Sequence, residues 1–151
     1  MLEDAMAERT ERDALHHLIE ICKDGERGFR TAAEHVGAPV LKSLFADLSA
    51  QRKQFAEDLV PHLHRLGGLT DGGTNAGTLH RGWMLLRDLV PGQHDHTIVT
   101  EAERGEHAAL DAYDEALNGM LPPTVTDLVE TQRDAIQQAN ERIRTVDMGY
   151  E

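Results

Sequence analysis

Leu15, Leu18, Ile19, Cys22, Phe29, Ala32, Ala33 and Val36 follow one another largely at separations of three and four. That period gathers apolar side chains on one face of an α-helix, and it predicts a helix over about residues 5–36. Gly37 is placed to cap it and Pro39 to open the next element. Leu41, Leu44, Phe45, Leu48, Phe55, Leu59, Leu63 and Leu66 predict a second helix over about 39–66, stopped by Gly67-Gly68. "LTDGGTNAG" reads as a loop. Leu79, Trp83, Leu86 and Leu89 predict a shorter helix over about 76–90, broken by Pro91-Gly92. Ile98, Ala102, Ala109, Ala112, Tyr113 and Ala116 define a third long helix, about 96–117, with Asp95 as its expected cap and Asn118-Gly119 as its end. Val125, Leu128, Val129, Ala135, Ile136, Ala139, Ile143 and Val146 define a fourth, about 123–147.

No segment sustains strand alternation, so the expected class is all-α. The first and second long helices are joined tightly, as are the third and fourth, so each pair forms an antiparallel hairpin. The connection between the pairs, about residues 67–95, is long enough to travel most of a bundle's length. The expected architecture is a ferritin-like antiparallel four-helix bundle, one domain over 1–151, with one long crossover carrying a short extra helix.

Each apolar face turns polar once. Glu26 lies four after Cys22 and three before Phe29, and Glu106 lies four after Ala102 and three before Ala109. Gln51 and Arg52 fill the gap between Leu48 and Phe55, while Gln132 and Arg133 fill the gap between Val129 and Ile136. Counted from the hairpin turns, all these positions fall at similar heights. Glu26, Gln51, Arg52, Glu106, Gln132 and Arg133 are therefore expected to form one polar layer inside the bundle. Gly25 and Gly105, each one residue before a glutamate, are expected to let helices approach closely beside that layer.

The segments "CKDGERGF", "AQRKQFAEDL", "HRLGG", "LHRGW", "ERGEHAALDAY" and "QQANERIR" carry a family resemblance over about residues 12–146. Through them the chain resembles the ferritin-like superfamily, including the rubrerythrin group. It is most similar to a family of small bacterial ferritin-like four-helix domains of uncharacterised function. The resemblance implies two metal ions held by a Glu from each of two helices and Glu-x-x-His from each of the other two. Glu26 and Glu106 match the first pair. Where the motifs belong, this chain reads Arg52-Lys53-Gln54-Phe55 and Arg133-Asp134-Ala135-Ile136. Four of the six implied ligands are missing, and guanidinium groups stand where metal charge would be. The expectation is a degenerate di-metal site with arginine neutralising the glutamates, and no resident cofactor. The competing expectation is iron or manganese held by other ligands, with Glu26, Glu103, Glu106 and His107 as the best remaining set.

Composition narrows the partners. A net charge of −12 argues against a nucleic-acid backbone or an anionic membrane. The N-terminal "MLEDAMAERTERD" has no apolar core of signal-peptide length, and no apolar run spans a bilayer, so a cytoplasmic setting is expected. Cys22 is the only cysteine and sits on an apolar face, which predicts an inert core thiol. Among the histidines, "HDH" at 94–96 reads as a solvated capping segment and His62 as a core histidine near His16. Trp83, flanked by His80 and Arg81, is expected to pack the crossover on the bundle, with a small-molecule site there as a third reading. No Ser-His-Asp arrangement or phosphate loop occurs. The expected function is therefore non-enzymatic: an interaction or structural protein, stress-related by analogy alone, whose partner is another protein or a second copy of the chain. A metal-dependent oxidase or iron-handling protein is the alternative.

Overall fold

The computed structural model describes residues 2–68 and 94–149. These form four helices, α1 Leu2–His35, α2 Pro39–Arg65, α3 Asp95–Leu117 and α4 Pro123–Gly149, with no strand among the described residues. The segment containing the predicted 76–90 helix, with His80, Arg81 and Trp83, lies outside the described residues. None of the helices described is long and apolar enough to cross a membrane.

Hydrogen bonds fix the directions. Ser49 Oγ donates to the Glu26 carbonyl at 2.7 Å and Lys42 Nζ to the Ala33 carbonyl at 2.9 Å, so α1 and α2 run antiparallel. On the other side, Tyr113 meets Gln132 while His96, near the start of α3, meets Asp147, near the end of α4, so α3 and α4 are antiparallel as well. Helix α1 also packs on α3 and α2 on α4, which leaves α2 and α3 facing each other across the diagonal. The core falls into two apolar clusters. One gathers Leu15, Leu18, Leu59, Leu63, Tyr113 and Val129 among others, and the second gathers Phe29, Val36, Leu41, Phe45, Ile98 and Ile143 among others.

Local chemistry explains the helix ends. Gly67, at φ +80°, ends α2: its N–H bonds the His64 carbonyl and the Gly68 N–H bonds the Leu63 carbonyl, both at 3.0 Å. This paired capping needs a left-handed residue, which glycine adopts without a Cβ penalty. Pro39 opens α2 in the first turn, where its missing N–H costs nothing. Two caps differ from expectation. Gly37 does not take the left-handed conformation, and Asp95 does not cap its own helix, whose N-cap is His94. Instead the Asp95 carboxylate accepts from the Gly37 N–H at 2.8 Å and the Ala38 N–H at 3.0 Å. A carboxylate there satisfies amides that the α1–α2 turn leaves unpaired. Helix α1 also begins earlier than predicted. Among the described side chains of its first turns none is buried, and Leu2 and Met6 are exposed, so no apolar period announces them.

Candidate functional site

The two apolar clusters meet at a polar layer, and Arg52 is its centre. Its side chain is 2% exposed and that of Glu106 0%. The guanidinium grips the carboxylate with both arms: Nη1 donates to Oε1 at 2.5 Å and Nη2 to Oε2 at 2.6 Å. The third nitrogen, Nε, donates to Gln51 Oε1 at 3.2 Å. The guanidinium carbon also lies 5.2 Å from the centroid of the Phe29 ring, within cation–π range. This parallel two-bond geometry is specific to arginine with a carboxylate. Burial works against the guanidinium's charge, yet the adjacent Glu106 carboxylate outweighs it, so Arg52 holds its proton more tightly than a free arginine.

Gly25 makes room for this arrangement. A Cβ at that position would stand 3.2 Å from Arg52 Cγ and 3.7 Å from Arg52 Cβ. The absent side chain lets the arginine stem lie against the α1 backbone while its head crosses the diagonal to α3. A glycine inside a helix costs about 1 kcal/mol relative to alanine; here it admits a side chain that an alanine would crowd.

A second chain of hydrogen bonds runs beside the pair. Tyr113 OH donates to Gln132 Oε1 at 2.7 Å, and Gln132 Nε2 donates to the Phe55 carbonyl at 3.3 Å. Cys22 Sγ lies 3.0 Å from the Tyr113 oxygen. The hydroxyl proton is committed to Gln132, so the thiol is the donor in that contact. Burial pushes the Cys22 thiol up to about 11 despite the Tyr113 hydroxyl beside it. Burial, reinforced by the sulfur, likewise raises the Tyr113 phenol well above its ordinary value. A thiol so buried and so reluctant to ionise is a poor nucleophile.

Of the residues expected in the layer, Arg52, Glu106 and Gln132 are buried and Gln51 is half-buried. Glu26 and Arg133 are not in it, and both expectations are corrected. Glu26 is half-buried at the edge of α1 and pairs with the exposed Arg30 at 3.9 Å. Gly25, one residue earlier, takes the inward position because α1 keeps the steps Leu18, Cys22, Gly25, Phe29. Arg133 also points outward, to Asp114 at 2.9 Å, with Gln137 and Asp134 alongside. On α4 the inward steps are Val125, Val129, Gln132, Ile136, so the amide rather than the guanidinium enters.

The alternative metal set is dispersed too. Glu106 is engaged through both oxygens, Glu103 is half-buried, His107 is exposed, and Glu26 faces away. Among the described residues no three His, Cys, Asp or Glu side chains are grouped to hold a metal ion. A di-metal centre does not fit these donors. His62 is half-buried and lies against Arg65 at 3.3 Å, while His16 pairs with Glu20 at 3.7 Å, so neither is the core histidine expected. At 94–96, His96 reaches Asp147 at 3.2 Å. Sequence reasoning missed Glu101, which is buried beside Ala102 and pairs with Arg104 at 3.1 Å. It also took Tyr113 as apolar packing alone; a tyrosine on an inward face is itself a signal that a buried acceptor is nearby.

Compared with known proteins, the chain matches the model of a family described as a domain of unknown function (DUF2383) over residues 10–119. No curated protein matches it.

Proposed function

The chain belongs to the DUF2383 family of domains, and from that premise we propose that it is a non-enzymatic, ferritin-like four-helix bundle of the cytoplasm, serving as an interaction or structural protein. Its partner is another protein or a second copy of itself. The observation that carries this reading is the Arg52–Glu106 pair. The carboxylate that the ferritin-like pattern would offer to metal is saturated by a guanidinium from the helix that would have supplied Glu-x-x-His. Two helical hairpins placed antiparallel, with α2 and α3 on the diagonal, support the ferritin-like assignment.

What the layer offers chemically supports the same reading. Arg52 is locked in its charged state, and the Cys22 thiol and the Tyr113 phenol are held neutral by burial. None of these three groups is poised to exchange a proton near neutral pH, which is what general acid–base chemistry requires. The test is metal analysis of protein purified without chelators. The expected content is well under one equivalent of iron, manganese or zinc per chain. Two metal ions per chain retained through dialysis would refute the proposal and put a metal-dependent oxidase in its place.

A further inference from the structure

We propose that the Arg52–Glu106 pair is a register lock: it fixes how far the α1–α2 hairpin is slid along the α3–α4 hairpin. Most polar links of the described residues lie within a hairpin and travel with it, such as Ser49 to the Glu26 carbonyl or Arg133 to Asp114. Among the described residues, the connections that cross between the hairpins include Arg52–Glu106, Cys22–Tyr113, Gln132 to the Phe55 carbonyl, and Asp95 to the Gly37 and Ala38 amides.

Three of these resist sliding weakly. The Asp95 bonds lie at an exposed or partly buried edge, where water replaces them. The Cys22 thiol is a weak donor, and Tyr113 keeps its bond to Gln132 wherever the hairpin moves because both belong to it. The Gln132 contact is long, at 3.3 Å. The apolar faces discriminate little, since aliphatic side chains recur along them every three or four residues and a shifted hairpin still buries them. The ion pair is different. Displacing the hairpins by a heptad, about 10 Å at 1.5 Å per residue, would leave a guanidinium and a carboxylate apart in a dry interior. Gly25 and Phe29, which receive the arginine, sit on the same hairpin as Arg52, so the arginine keeps its cradle and loses its partner. Buried polar residues fix register in the same manner in coiled coils.

Nitroxide labels on K53C and D111C, both exposed and on the diagonal helices, report the slide directly, with Cys22 left in place because it is buried. The protein with Arg52 and Glu106 intact is expected to give one narrow distance. The double variant R52L/E106L is expected to melt no lower, yet to show a second or broadened distance population. R52L alone is expected to melt lower. A double variant that keeps one narrow distance at the original position overturns the proposal. So does a double variant that fails to fold, since the pair would then be an ordinary stabiliser.

Discussion

Gly25-Glu26 and Gly105-Glu106 are the same dipeptide on antiparallel neighbouring helices, at about the same height. In α3 the glutamate is buried and gripped by Arg52; in α1 the glycine faces inward and the half-buried glutamate meets the exposed Arg30. The partner helices repeat the contrast. Gln51-Arg52 sends its arginine inside, while Gln132-Arg133 sends its glutamine. The Arg52–Glu106 pair thus joins one guanidinium to one carboxylate, and is itself neutral. A second carboxylate beside Glu106 would have had to take a proton or draw in another cation. The two halves differ by one residue of rotation in each, and that difference keeps Glu26 beside Arg30 and leaves Arg52 to Glu106.

The sharpest way to break this comparison is to remove the two glutamates separately. Glu106→Ala strands Arg52 and is expected to lower unfolding stability by about 3–5 kcal/mol, whereas Glu26→Ala should stay within about 0.5 kcal/mol. Denaturant midpoints at constant m-value measure both, and equal losses would erase the distinction. Alkali tests the neighbours of the pair. Cys22 keeps its proton in the folded state up to about pH 11, against an ordinary value of 9.0. Its folded pKa is raised, so its contribution is full below pH 9 and is lost as pH rises towards 11. The loss is on the order of 2–3 kcal/mol from a shift of this size. Replacing Cys22 by alanine should flatten the fall of stability between those pH values; an unchanged slope would place the effect elsewhere.

Gly25→Ala weighs two opposed terms. Alanine favours the helix by about 1 kcal/mol, but its Cβ would press on an arginine stem whose head is pinned by Glu106. Crowding of that kind costs about 1–3 kcal/mol, so a net loss of about 1 kcal/mol is expected in thermal or chemical denaturation. A gain would mean that the stem yields. A small effect is also expected of Arg133→Ala, whose pairing with Asp114 is at the surface. It should cost under about 1 kcal/mol and less still in high salt.

The four long helices were legible to within a few residues, because threes and fours of apolar spacing and the Pro and Gly punctuation agree with one another. The height of the polar layer was legible as well, by counting from the hairpin turns. Its rotation was harder. A seven-residue gap such as Cys22 to Phe29 or Val129 to Ile136 closes as three plus four or as four plus three, and the two choices select different residues. Strict alternation along Leu15, Leu18, Cys22 and along Val125, Val129 points to Gly25 and Gln132, which is what the structure has. A glycine seemed a less informative inward residue than a glutamate because nothing local shows that an arginine from another helix needs the space. That requirement is non-local, as is the reach of Asp95 to the α1–α2 turn, and neither leaves a mark in spacing.

Cys22 gives the molecule a built-in clock. The sulfur belongs to one hairpin and the hydroxyl it meets to the other, and its own surface is closed off. A thiol reagent in solution reaches it after the hairpins part, so the rate at which the native protein is labelled counts those openings without any probe being introduced. When reclosing is fast, that rate reads the free energy of opening; when the reagent outpaces reclosing, it reads the opening rate itself.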